Sequence, residues 1–325
     1  MDPRLLTAII VVVGVPGVLV GYILVAEMVL RAVPDRIQPR VRPWVWLLPA
    51  LLFLGVFLVW PTLITIIRSF YNKAGSDFVG LANYQWFIGS PDALTSLRNN
   101  VIWVVLLTAI TVGLGLVIAV LVDRVRYEAL AKAVIFVPLA ISATASGAIW
   151  KFMFAYQPAG QPQTGTLNAV IGTMGAGPLA WLTISTAAFN TILLIIVFAW
   201  AWTGFAMVII SAAYKGISRE LLEAARVDGA TEWNVFRRII LPLLVPTLAV
   251  ISTTMIITAL KAFDIVYVMT GGQYDTGVIA YTMYREMFTD GNFGRASAVA
   301  VILLLAIVPV MAINVRRFRT QEVAR

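Results

Sequence analysis

The chain has 325 residues, of which 60% are hydrophobic and 12% charged, with a formal net charge of +8. A soluble domain carries roughly 25% charged residues, so this is the composition of an integral membrane protein with several spans and little room for a separate soluble domain. Cysteine and histidine are both absent, which excludes disulfides, thiolate chemistry, ordinary zinc sites and histidine acid–base catalysis; the surplus of basic residues suits loops that set membrane topology better than it suits nucleic acid.

A bilayer-spanning helix needs about 20 mostly apolar residues. The first such run is 5–30, with Glu27 near its end. It is long for the apolar core of a signal peptide and no small-residue cleavage site follows, so it reads as a retained span. An Arg- and Pro-rich arm, 31–43, comes next and should not be helical throughout. Further spans are expected at 44–67, 101–122, 133–154, 185–213, 240–263 and 296–315. Loops rich in Gly, Pro, Asn and aromatic residues occupy 68–100, 155–183 and 264–295. The fold class is therefore all-α and polytopic with about seven transmembrane helices, divided into an N-terminal anchor and basic arm, 1–43, and a transmembrane core, 44–325.

Charge placement orients the chain. Segments 31–43, 123–132, 215–238 and 316–325 hold 16 of the 24 Lys and Arg, the segments on the other side hold 7, and Lys261 lies inside a span. Basic residues gather on the cytoplasmic side, which puts the N-terminus outside and the C-terminus in the cytoplasm.

The polar stretch 223–242, EAARVDGATEWNVFRRIILP, stands out between two apolar runs. Ser218 is placed to cap a short helix with Glu220 in its first turn. Gly229 can stop that helix in a left-handed conformation, and Thr231 can cap a second helix that runs into the membrane. Ala224 and Ala225 give the first helix a small-residue face. Trp233, Phe236 and Ile240 share one side of the second, expected to pack on the chain's own spans. Glu223 is spaced to pair with Arg226 or with a basic group on a partner. Read from periodicity alone, the stretch is equally an amphipathic helix lying on the membrane surface.

The spacing within it adds more. Glu223-Ala224-Ala225, three residues, Gly229, nine residues, Ile239, one residue and Leu241-Pro242 resemble the signature loop of permease subunits of binding-protein-dependent ABC importers. Gly80-Leu81-Ala82-Asn83-Tyr84 resembles a motif of the first external loop of sugar-type permeases, and Phe263 to Gly272 the segment after their penultimate span. The resemblance covers about 44–319 and is strongest to the larger maltose permease and alpha-glucoside permeases. The span at 5–30 is additional to the six-helix core of that family.

This resemblance implies that a cytoplasmic ATPase dimer docks on the loop 215–240 through Glu223, Ala224, Ala225, Asp228 and Gly229. It implies a second permease subunit and an extracytoplasmic solute-binding protein as further partners. No G-x-x-x-x-G-K-[ST] loop occurs in the chain, so ATP and Mg are expected on the partner, with no cofactor here and no enzyme activity of its own. The solute, expected to be a sugar such as an oligosaccharide or alpha-glucoside, should pass between spans near mid-bilayer. Asn190, Trp200, Trp202, Thr203, Phe205, Thr254, Thr258 and Lys261 are the candidates for its path. Each also has a plain structural reading, as packing or as a hydroxyl bonded to its own helix. Lys261 and Asp264 could form a structural pair. Together with Glu27 they are also the features that would suit an ion-gradient-driven secondary transporter, the alternative reading.

Overall fold

The computed structural model describes residues 3–123 and 125–323. Arg124 and Arg325, both counted in the charge asymmetry, lie outside the described residues, as do the side chains of Arg316, Arg317 and Arg319. Two compact units divide between Ile64 and Thr65, one span later than the boundary at 43/44 drawn from the sequence.

The first unit, Met1–Ile64, contains α1 (Pro3–Arg31), α2 (Gln38–Leu54) and the start of α3 (Trp60–Arg68), with a π-helical turn at Gly55–Val59 between α2 and α3. The Arg/Pro arm is a turn only over 32–37, because Pro at the first turn of a helix costs nothing and α2 begins at Gln38-Pro39. Gln38 Nε2 donates to the Leu30 carbonyl at 3.1 Å, and the Tyr22 hydroxyl to that of Val45. None of the residues of α2 is buried, as expected of a helix whose sides meet lipid.

The second unit, Thr65–Arg325, carries α4 (Ala82–Gly89), α5 (Pro91–Val122), α6 (Glu128–Phe136), α7 (Ala143–Met153), α8 (Thr166–Thr173), α9 (Phe189–Lys215), α10 (Arg219–Val227), α11 (Glu232–Val235), α12 (Leu241–Leu260), α13 (Asp264–Met269), α14 (Ile279–Tyr284) and α15 (Phe293–Val323). Among the described residues of the whole chain, six helical stretches are long and apolar enough to cross a membrane, and the pair α6 and α7 makes a seventh if it counts as one span.

That pair corrects the sequence reading of one straight span over 133–154. The chain bends by 96° between Glu128–Ala140 and Ala143–Met153. Pro138 sits in a 3-10 turn at Val137–Ala140, and the Ser142 hydroxyl accepts from the Ala145 N–H at 3.2 Å to cap α7. Proline ends one helix and the cap starts the next, so the break is written locally. Its seat is Gly204 on α9: a Cβ there would lie 2.4 Å from the Ile135 carbonyl oxygen and 2.7 Å from Phe136 Cα. Gly115 on α5 plays the same part against Ala206, at 2.8 Å from its Cβ. Small residues let backbones meet where lipid offers no hydrophobic drive for association.

The third span also starts ten residues earlier than expected, at Pro91, capped by Ser90. Its N-terminal turns carry two buried asparagines that clamp the loop after α13. Asn99 Nδ2 donates to the carbonyls of Asp275 (2.6 Å) and Gly277 (2.8 Å). Asn100 donates to Leu260 O at 3.3 Å and accepts from Ile279 N–H at 2.7 Å. The Gly80–Tyr84 motif is a similar staple, with Asn83 Nδ2 donating to the carbonyls of Ser69 and Tyr71 at 2.9 and 2.8 Å.

Gly204→Val should therefore unseat the break. Overpacking costs about 1–3 kcal/mol, here at the upper end because backbone rather than side chain is struck. The folded yield in detergent, compared with Gly113→Val, where a Cβ meets nothing within 4 Å, checks this; equal yields would contradict it.

Candidate functional site

Two places stand out, a cavity and an elbow. The cavity, of 460 Å³, lies where the broken span faces α9, the end of α12 and the start of α13. Ser142 and Ser146 reach it from the break, Phe198 and Trp202 from α9, Thr258 and Lys261 from α12, and Phe263 and Asp264 from the turn beyond. Ser146 is 1% exposed and its Oγ has no hydrogen-bond partner among the described residues. A buried hydroxyl left unpaired costs about 1–3 kcal/mol, whereas Ser142 at the same break is exposed. Aromatic faces and hydroxyls together are what a pyranose needs.

The eight candidates for the solute path divide sharply. Trp202, Thr258 and Lys261 line the cavity. Phe205 stands behind Trp202, edge to face at 5.6 Å. Asn190 is 1% exposed and spends its amide on the carbonyls of Tyr274 (2.6 Å) and Leu182 (3.4 Å). It is a staple, holding a Tyr274-Asp275 pair in left-handed conformation (φ 56° and 59°), where L-residues are strained. Thr203 and Thr254 return their hydroxyls to their own helix, at Ala199 O (2.7 Å) and Val250 O (3.1 Å). Trp200 packs on Trp150 at 5.6 Å and does not line the cavity. Lys261 and Asp264 both line it and do not form the ion pair expected of their spacing, no salt bridge within 4.0 Å joining them. Ser142, Ser146 and Phe263 were not anticipated.

The elbow is α10, a left-handed turn at Gly229 (φ 83°) and α11. Thr231 caps α11, its Oγ1 accepting from Asn234 N–H at 3.3 Å. Ser218 occupies the N-cap position of α10 but its side chain makes no cap bond. Leu222, Val235 and Ile240 are buried in a core with Tyr214 and Ile210, and Ala225 and Ala230 pack against it. Ala225 thus faces inward, while Glu223, Ala224, Asp228 and Gly229 face outward. Trp233 is also exposed, although the sequence placed it on the packed side; it stacks on Phe236 at 5.8 Å. Val227, 87% exposed, is an apolar knob that the sequence reading missed.

Arg226 does not pair with Glu223 as spacing suggested. Its Nε meets Glu232 Oε1 at 2.7 Å, across the Gly229 turn, and so fixes the angle between α10 and α11. Behind the elbow, Lys215 bonds Glu128 at 2.7 Å, and Lys132 bonds both Glu128 and Ser211. These links tie the foot of α6 to the foot of α9 beside a 470 Å³ crevice that also takes in Arg219, Glu223 and Arg226. Beyond the elbow, Glu232–Leu260 is one continuous apolar helix, about 43 Å long at 1.5 Å per residue. It joins the elbow directly to Thr258 and Lys261 at the cavity.

A polytopic helical bundle with a cavity among its spans, and one helical stretch running from that cavity to a polar elbow, is the construction of a membrane transport component. The family described as "Binding-protein-dependent transport system inner membrane component" matches residues 111–317. The osmoprotective compounds uptake permease protein GgtC of Synechocystis sp. is 53% identical over 277 residues, which cover 85% of this chain and 99% of GgtC. The alpha-glucoside transport system permease protein AglF of Rhizobium meliloti is 43% identical over 282 residues, covering 86% of this chain and 83% of AglF. A chain of the crystal structure of a bacterial ABC transporter involved in the import of the acidic polysaccharide alginate has the same fold, with a TM-score of 0.74 at 23% identity over 88% of this chain and 99% of that one. The chain belongs to the family of inner membrane components of binding-protein-dependent transport systems: it is a multi-pass permease subunit of an ABC importer. The ion-gradient alternative finds no support.

Outside the spans, Glu286 on the π-helical turn Arg285–Thr289 is 3% exposed, with Oε2 unpartnered among the described residues. Burial pushes its carboxyl above the usual range and Asp290 adds to that, against the opposing charges of Arg295, Arg285 and Lys73. With a raised folded-state value, the fold holds the proton more tightly than the unfolded chain, and stability falls as pH climbs from the ordinary carboxylate range through the raised one. Glu286→Gln should therefore stabilise the protein at pH 7 and leave it unchanged at pH 4, read by thermal unfolding; a loss at pH 7 alone would refute this account. Gly229→Val, which forces a β-branched residue into a left-handed turn at about 1–2 kcal/mol, should leave insertion intact and uncouple uptake from ATP hydrolysis. Unchanged uptake per ATP would count against the elbow as a coupling element.

Proposed function

We propose that this permease carries a neutral glucoside, of alpha-glucoside or related osmoprotective type, inward across the membrane. The observation that carries the reading is the cavity's lining, in which Trp202, Phe198 and Phe263 offer ring faces and Ser142 an accessible hydroxyl. The names of the 53% and 43% identical relatives support the same class. Lys261 and Asp264, unpaired with each other, give the cavity one donor-rich and one acceptor-rich group, which suits a polyhydroxy solute of no net charge better than a polyanion.

In this reading the elbow faces the cytoplasm, the N-terminus lies outside and the C-terminus inside. An ATPase subunit, which binds ATP and Mg, takes the outward face of α10, with Glu223, Ala224, Asp228 and Gly229 as contacts and Val227 as an apolar anchor. A second permease completes the pore, and a solute-binding protein delivers from the outer side. Closure of the ATPase pair displaces α10. The Arg226–Glu232 pair transmits that displacement to α11, and the continuous helix carries it to Thr258 and Lys261. The shared helix makes solute access and nucleotide state a single mechanical variable.

The test is ATPase stimulation of the reconstituted complex by a panel of solute-loaded binding protein: maltose, trehalose and sucrose against sn-glycerol 3-phosphate and an alginate oligosaccharide. Stimulation by at least one neutral glucoside, and by neither anion, is expected. Stimulation by an anionic solute alone would overturn the assignment.

A further inference from the structure

We propose that Phe263, Tyr267, Tyr284 and Phe288 form an aromatic lane that takes the pyranose ring of the solute at the outer surface and passes it into the cavity, an inference that rests on the glucoside reading above. Phe263 belongs to both places. It lines the cavity, and its ring lies 5.3 Å from that of Tyr267 and 5.2 Å from that of Tyr284. Tyr284 is the hub, 5.2 Å from Tyr267 and 5.0 Å from Phe288. A sugar leaving one ring is therefore already against the next.

The sequence builds the lane from two pairs at i, i+4, Phe263 with Tyr267 and Tyr284 with Phe288, so each pair shares one face of its own helical turn. The two turns are held in place from outside the lane. Asn100 and Asn99 fix the backbone at Leu260, Asp275, Gly277 and Ile279, and Asn190 fixes Tyr274. Exposure rises outward, from half-buried Phe263 and Tyr284 to Tyr267 at 46% and Phe288 at 68%. Rings that served only as core would be covered. Phe263, Tyr267 and Tyr284 close a triangle with one corner at the cavity, and Phe288 extends it from Tyr284, each ring keeping some accessible surface. The electron-rich face of an aromatic ring receives the weakly polarised C–H groups of a pyranose, and the hydroxyls of Tyr267 and Tyr284, which bond to each other, keep lone pairs that can accept from its O–H groups. A plain aromatic belt at the membrane interface would need no continuity with the cavity.

The test uses the complete importer (this chain, its second permease, ATPase and binding protein) in proteoliposomes, with radiolabelled maltose and trehalose as probes. Solute moved per ATP hydrolysed is the readout. Phe288→Ala, at an exposed position, and Tyr284→Leu should each lower it by about tenfold, the worth of one lost stacking contact. ATPase stimulation by loaded binding protein should persist, and the ring-keeping Tyr267→Phe and Tyr284→Phe should retain most transport. An unchanged ratio in Phe288→Ala and Tyr284→Leu overturns the lane while leaving the glucoside reading intact. A fall only in the amount of assembled complex, with the ratio per complex unchanged, also overturns it, in favour of a membrane-belt or subunit-contact role. A wild-type complex that moves neither probe, nor any other neutral glucoside, overturns the glucoside reading and the lane with it.

Discussion

The structure depends on one close approach, Gly204 of α9 against the backbone of Ile135 and Phe136. Only a residue without a side chain lets the fourth span come this near, and only a span that close can turn by 96° and still pack. Pro138 and the Ser142 cap make the turn locally cheap; Gly204 gives it somewhere to rest. The cavity follows from it. A straight helix would have run past α9 and α12, whereas the bend leaves a space that Ser142 and Ser146 enter from one side and Trp202 and Lys261 from the others.

Around this space the chain uses buried asparagines as fasteners. Asn83, Asn99, Asn100, Asn168 and Asn190 each bond to backbone carbonyls of loops that have no regular ladder of their own. A single amide supplies two donors and an acceptor in one short side chain, enough to satisfy peptide groups that would otherwise be orphaned. The result is a set of loops fastened to the helices beside them, in which even the left-handed Tyr274-Asp275 pair is held.

The elbow was the most legible part of the sequence. Gly229 and Thr231 announce a stop and a start by their own backbone chemistry, and the spacing from Glu223 to Pro242 is carried by local structure. The number of spans was legible too, because apolar length is a local property. The cavity was not. Whether Asn190, Thr203 or Thr254 faces solute or its own helix depends on neighbours more than 80 residues away or on rotamer, and neither leaves a mark in the pattern. The broken fourth span hid for a different reason: Pro138 was visible, but proline is common in membrane helices, and its effect was decided by Gly204 in another span. Lys261 and Asp264 were spaced to pair on a helix, yet α12 ends at Leu260, so the periodicity that would have joined them stops one residue before the first of them.

The π-helical turn at Phe236–Ile240 lies between the elbow and the span that follows it. A π turn accommodates one residue beyond the α register, which rotates everything after it by about 100°, given 3.6 residues per turn. The face that α11 buries beside Leu222 and the face that α12 turns toward the cavity are consequently set out of step with each other by that one residue. The angular phase of Thr258 and Lys261 is decided some twenty residues upstream of them, outside the bilayer core. Relatives that share every cavity residue but differ by a single insertion or deletion in this turn would present a different wall to the solute.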